Sequence, residues 1–507
     1  MIEILNKTLH IRIKIRDKHF PINIGVVLIG ILVSTFICLL TACIVHKPKN
    51  TNLTATERAA LAGTEVRAGS MSGPLRVDPT NPRYFTNGLG QAIYMAGGHT
   101  WYNIHYNSKN KRMSDSEFDE FLNWMESHGY NFTRLWTGWG NNFPKPWKKV
   151  NGKFDLTKYN QRYFDTLRRR VEKIQARGIY CSVMFFGSLI AMDTESGWRK
   201  MAWHPDNNIN PELANAFSVT DGYSFFTKDP GALAIQRQFV KKMIDTLNDL
   251  DNIIWEIGNE ADLPHSYNWQ YGMINFTKKY ESAKPKQHPV GMTSDGRSDN
   301  NAWLLNSPAD WISPDQTDSD NYEEGGPASY DNKILINDVD HLWGHFTSNE
   351  VKTGRKWVWE TFTRGNNPIL MDCYTAHVPK SPTVEHPCNG VLDHTFDPIR
   401  NALGDTVAYS KKLDLAHTFP SDKAVDCSTR YCLRNPGYEY LIYQSNSGTI
   451  TANFVAGDYY YEWFNPESGT ISRTGTITIG NGNRSFTPPF SGDAVLYLKK
   501  INSRDLY

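Results

Sequence analysis

Between residues 92 and 359, short apolar runs alternate with segments of helical periodicity. This alternation constrains the fold more than any other feature of the chain. The runs at 92–96, 131–136, 179–186, 253–257, 289–292, 310–312, 334–336 and 356–359 read as strands. Ser114-Asp-Ser-Glu117 forms a capping box, with Phe118, Phe121, Leu122 and Met125 following at helical spacing and Gly129 as the stop. Phe164, Leu167, Val171 and Ile174 mark a second amphipathic helix ending near Gly178, and residues 232–248 a third. Strand and helix in eightfold alternation predict an α/β chain closed into a (β/α)8 TIM barrel over 73–419. Near residue 420 the pattern changes. Short runs at 440–443, 449–454, 459–464, 476–479 and 494–498 are separated by turn clusters at 465–469 and 480–483. They predict a small antiparallel β-sandwich over 420–507.

The start of the chain reads as an export signal. Lys7, Arg12, Lys14, Arg16 and Lys18 precede an uncharged stretch, 21–45, whose core at 24–40 is apolar. Leu40-Thr-Ala-Cys43 looks like a bacterial lipoprotein processing site, with residues 1–43 as signal peptide and Cys43 as the lipidated residue. An uncleaved membrane span is the alternative, since about 20 apolar residues suffice to cross a bilayer. Both place the remainder outside the cytoplasm, anchored to a bacterial membrane, with 44–72 as a polar linker. The net charge of +1 provides no field to recruit nucleic acid. Cys181 lies in an apolar run and reads as a buried thiol. Cys373 with Cys388, and Cys427 with Cys432, are candidate local disulfides in an exported chain.

Residues 252–262 read Asn-Ile-Ile-Trp-Glu-Ile-Gly-Asn-Glu-Ala-Asp. A strand this apolar is buried, so a carboxylate at its end, Glu260, is expected to open into a cleft. Retaining glycoside hydrolysis requires a second carboxyl about 5–5.5 Å away. Period-two alternation places Ile334, Ile336, Asp338 and Asp340 on one face of the seventh run. Asp338 is the first candidate nucleophile, Asp340 its rival and Glu360 a third choice. Arg134, inside the second run, needs a buried partner, either the nucleophile or Glu256 one layer below Glu260. His99, Trp101, His341 and Trp359 (or Trp357) are candidate sugar contacts. The 15 Trp and 25 Tyr suit such a site. Asp315, Asp318 and Asp320 lack the calcium-loop pattern and read as a solvated acidic loop. Phosphate-loop, nucleophile-elbow and His-Glu-x-x-His motifs are missing, so no cofactor or metal is expected.

Trp255-Glu-Ile-Gly-Asn-Glu260 resembles the fourth-strand signature of the cellulase-like superfamily of retaining glycoside hydrolases (clan A). Asn131-Phe-Thr-Arg-Leu resembles that superfamily's second strand. The likeness spans roughly 80–415. It implies Glu260 as acid/base, Asn259 as a ligand of the sugar 2-hydroxyl and Arg134 as an active-site residue. The stretches 337–344, 357–365 and 367–372 look like apiosidase-like bacterial barrel proteins, and 454–469 and 489–497 look like the collagen-binding-type sandwich those proteins carry. The superfamily ends its seventh strand on a nucleophilic Glu, whereas this chain offers Asp338 and Asp340. The resemblance therefore implies an exported, retaining glycoside hydrolase acting on a poly- or oligosaccharide. A non-catalytic surface protein binding glycan or matrix on a degenerate barrel is the alternative.

Overall fold

The computed structural model describes residues 12–15, 18–21, 71–100, 113–137, 145–187, 194–261, 263–294, 301–314, 332–338, 348–372, 374 and 394–501. The chain divides into two compact units, Met1–Leu53 and Thr54–Tyr507. In the first, Arg12–Ile15 and Lys18–Pro21 pair as an antiparallel hairpin. The apolar segment 24–40, the candidate processing site and Cys43 lie outside the described residues. Among those that are described, no helix is long and apolar enough to cross a membrane.

The second unit contains a closed parallel barrel. Its strands are β1 (Gly97–His99), β2 (Phe132–Leu135), β3 (Tyr180–Phe186), β4 (Ile253–Gly258), β5 (Val290–Thr293), β6 (Trp311–Ser313), β7 (Ile334–Asp338) and β8 (Asn367–Met371). Pairing of Ile369 with Gly97, and of Gly97 with Phe132, closes the ring. Two glycines make the interior possible. A Cβ on Gly97 would meet the Phe132 carbonyl oxygen at 2.0 Å, and one on Gly291 would meet the Trp311 indole at 1.9 Å. Leu75, Phe85 and Met95 cluster with Phe132, Tyr180, Ile254 and Ile334, which sit at strand starts. A small antiparallel sheet over 76–93 thus plugs the N-terminal end of the barrel and leaves the C-terminal end for the site.

The helices around the barrel include α1 (Asp115–Ser127), α2 (Gln161–Gln175), α3 (Pro230–Leu247), α4 (Leu263–Glu281), the single turn α5 (Ala302–Leu305), α6 (Ser348–Thr363) and α7 (Asp397–Lys412), with two further single turns at Glu195–Trp198 and Pro211–Ala214. The capping box at Ser114 and Glu117 forms as expected, with Glu117 N donating to Ser114 Oγ at 3.1 Å.

Two strand expectations need correction. The run 92–96 contributes Ala92–Ile93 to the plug, and the first barrel strand is the adjacent Gly97–His99. The run 356–359 is helical, inside α6, and the eighth strand is Asn367–Met371. A four-residue apolar run does not distinguish period two from period 3.6, and Pro368 disguises the true strand because proline cannot donate to a ladder.

The sandwich follows. Its strands are β9 (Phe419–Ser421), β10 (Cys432–Asn435), β11 (Glu439–Gln444), β12 (Ile450–Phe454), β13 (Gly457–Asn465), β14 (Thr470–Ile479), β15 (Gly482–Phe486) and β16 (Ala494–Lys500). Six form one sheet in the order β9-β10-β11-β16-β13-β14, and β12 pairs with β15 in the other. Alternation divides the large sheet between two cores. Tyr440, Ile442, Tyr459, Trp463 and Leu496 face the smaller sheet, whereas Leu441, Tyr443, Phe464, Val495 and Tyr497 join Trp357, Trp359 and Tyr409 of α6 and α7. Barrel and sandwich therefore share one continuous core.

Candidate active site

β2 places Arg134 inside the barrel, where its guanidinium ties together three strands. Nε donates to Glu256 Oε2 at 2.9 Å, and Nη2 donates to Glu256 Oε1, both on β4. Nη2 also donates to Asn259 Oδ1 at 2.7 Å, just beyond the end of β4. Nη1 donates to Asp338 Oδ2 at 2.6 Å, at the end of β7. The two partners proposed for Arg134 are thus not alternatives, because one planar fork serves both carboxylates. Ser182 of β3 donates a further bond to Glu256 Oε2 at 3.1 Å. Glu256 is wholly buried and saturated by these donors, which marks it as a structural counter-charge.

Asp338 Oδ2 also lies 3.0 Å from His99 Nε2, at the end of β1. An ionised carboxylate only accepts, so Nε2 carries the proton in this bond. Burial raises the Asp338 pKa, but the charge and hydrogen bonds of His99 and Arg134 outweigh it and hold the carboxyl below its ordinary 3.8. The floor beneath is formed by Phe132, Trp311, Ile336 and Ile369, so these interactions act in an apolar surrounding.

At the end of β4 the chain turns sharply. Glu260 adopts φ 51°, in the left-handed region, at a cost on the order of 1 kcal/mol for a residue with a Cβ. Strain of this kind concentrates at functional turns. Glu260 is half-buried and Asn259 buried. Asn259 Nδ2 has no partner among the described residues, leaving a donor available beside the acid/base candidate.

Trp136, which the sequence reading did not single out, organises this cluster. Its ring stacks on His99 at 5.9 Å and 20°, and the Arg134 guanidinium carbon lies 5.2 Å from its centroid. The signal was available: Trp136 lies two residues beyond Arg134 and shares its face under period two. His99 is further held through its backbone, whose oxygen accepts from Asp372 N at 2.7 Å. Arg400 of α7 clamps Asp372 through Nε at 2.8 Å and Nη2 at 2.7 Å.

The structure thus brings His99, Arg134, Asn259 and Asp338 into one hydrogen-bonded group, with Glu260 adjoining Asn259 in the chain. Trp101, Asp340 and His341 lie outside the described residues. Trp359 is corrected: it sits on α6, fully buried between Tyr409, Tyr443 and Phe464, and packs the sandwich instead of meeting a sugar. Its neighbour Trp357 is also buried on that helix, and Glu360 faces the sandwich near Ser445 and Asp493.

No family model and no curated protein matches the sequence. Solved structures do resemble the fold. A glycoside hydrolase aligns with TM-score 0.55 at 15% identity, over 85% of this chain and 97% of the other. A glycoside hydrolase family 5 protein from Bacteroides vulgatus aligns with TM-score 0.57 at 14% identity, over 86% of this chain and 96% of the other. The chain has the fold of these glycoside hydrolases.

Proposed function

We propose that the chain is an exported glycoside hydrolase that cleaves a glycosidic bond in a poly- or oligosaccharide with retention of configuration. The observation that carries this reading is the Arg134 fork, which joins the end of β4, where Asn259 and Glu260 stand, to Asp338 at the end of β7. A barrel that spends a buried cation on this link holds Asp338 ionised, as a nucleophile must be. Asp338 attacks the anomeric carbon while Glu260 protonates the departing oxygen. Glu260 then takes a proton from water, which opens the glycosyl-enzyme ester. Asn259 Nδ2, without a partner among the described residues, suits a sugar hydroxyl, and the basic lead and Cys43 support anchoring to a bacterial membrane.

The rival reading is a surface protein that binds glycan without turnover. The specific observation in its favour is Asp338, a carboxylate one methylene shorter than Glu and already gripped by two partners. Incubating the protein with a panel of oligosaccharides and aryl glycosides tests both. Turnover that is lost in Glu260→Gln and Asp338→Asn supports the hydrolase. Binding without turnover, unchanged in both variants, supports the rival.

A further inference from the structure

The sandwich contains a pair of sulfur atoms that the barrel chemistry does not use. Cys427 lies in the loop between β9 and β10, and Cys432 opens β10. Both are fully buried in the sandwich core beside Tyr440, Phe454 and Tyr459. The Cys432 thiol donates a hydrogen bond to the Cys427 sulfur, and this bond is the largest cause that brings the Cys427 thiol down to about 7. The loop is already fixed on both sides. Cys427 bridges to Ala452 of β12, Asn453 N donates to Asp426 O at 2.9 Å, and Ser428 N donates to Thr451 O at 2.7 Å. Arg434 of β10 pairs with Asp426 at 2.8 Å, and Arg430 takes a left-handed φ of 60° to complete the turn. Both thiols are free in the structure, and the loop that places them side by side is held by backbone bonds and an ion pair that do not involve the sulfurs.

We propose that Cys427 and Cys432 are oxidised to a disulfide that staples the β9–β10 loop, seated on the smaller sheet, to the larger sheet of the sandwich. The oxidant is a disulfide, either a small molecule or a dithiol oxidase of an oxidising compartment, acting before the loop is fully buried. The Cys427 thiolate attacks one sulfur of the oxidant and expels the other as a thiolate. Cys432 loses its proton and attacks the Cys427 sulfur, which releases the second thiolate. Two electrons and two protons pass from the pair to the oxidant. Closing a short loop removes freedom from the unfolded chain.

The test is independent of any activity of the barrel. Protein is produced in an oxidising compartment, alkylated without reduction and digested with trypsin, which cuts after Lys423, Arg430 and Arg434. Residues 424–430 and 431–434 then leave as one cross-linked pair, and after reduction they appear as two alkylated peptides. Recovery of both as alkylated peptides without reduction overturns the proposal. In thermal unfolding, reductant lowers the wild-type midpoint by more than that of the Cys427→Ser/Cys432→Ser double variant. Equal drops in the two proteins overturn the stapling role.

Discussion

Arg134 Nη1 donates to Asp338 Oδ2 at 2.6 Å while the rest of the same guanidinium forks onto Glu256, so the candidate nucleophile shares its cation with a buried structural carboxylate. On the proposed reading, catalysis and folding therefore depend on one side chain. Arg134→Ala strands two carboxylates inside the barrel, and loss of one partner of a buried pair costs about 3–5 kcal/mol. Thermal unfolding is expected to show the barrel destabilised to that extent. Arg134→Lys retains charge but not the fork, and it is expected to fold with turnover reduced by roughly 10² or more.

With Asp338 as the proposed nucleophile, the acid limb of turnover is expected to report on its carboxyl. Because His99 and Arg134 hold its carboxyl below the ordinary 3.8, the limb is expected to lie below that value in wild type. In His99→Gln, which removes one of the two stabilising partners, the limb moves to higher pH. Trp136→Leu, which loosens both partners at once, is expected to move it the same way and to lower kcat more than it raises KM. A limb unmoved in both variants would assign the titration to another group.

Glu260 combines a left-handed backbone with its proposed acid/base role. Glu260→Gly relieves the left-handed backbone and is expected to raise stability by roughly 1 kcal/mol while abolishing turnover of unactivated glycosides. Glu260→Gln is expected to spare aryl glycosides with good leaving groups, which require little protonation, and to suppress alkyl glycosides by about 10² or more. Equal losses on both substrate types would remove Glu260 from the acid role.

Glu360 is expected to make the junction between barrel and sandwich pH-sensitive. Burial raises its carboxyl from 4.5 to about 7 against the opposing effects of Lys356, Arg364 and Ser445, with Asp493 reinforcing the rise. A raised carboxyl contributes stability that is fully present below pH 4.5 and lost as pH climbs through 7. The shift corresponds to roughly 3 kcal/mol. Unfolding midpoints of wild type are expected to fall between pH 5 and 8 relative to Glu360→Gln, whose profile lacks this component. Parallel profiles would refute this.

The large sheet of the sandwich shares its core with α6 and α7. Trp359→Ala empties the shared core between α6, α7 and the large sheet, at a cost of about 3–5 kcal/mol. Protein that remains folded should keep its kcat, since Trp359 lies on the outer ring and not at the strand ends. Removing residues 413–507 exposes Trp357, Trp359 and Tyr409 together and is expected to yield insoluble barrel. A soluble truncation with wild-type unfolding behaviour would show that the shared core is dispensable.

The chain's own pattern of apolar residues carried the barrel class, six of its eight strands, the sandwich and the strand ends near which Asn259, Glu260 and Asp338 stand. Periodicity is local and survives in the sequence: period two fixes which side chains share a face, and capping residues and glycines fix where helices begin and end. Tertiary structure decided which strand ends face one another. Arg134 could be assigned to Glu256 or to a nucleophile, and only the closed ring shows one guanidinium serving both. The same closure brings Trp136 against His99 from a neighbouring strand. Trp359 and Glu360 misled the reading because Trp-Val-Trp is equally apolar as strand or helix, and only packing against Tyr443 and Phe464 selects the helix. The contact between Cys427 and Cys432 likewise depends on the loop that β12 holds in place. Partners far apart in the chain are chosen by burial and geometry, which a one-dimensional pattern does not encode.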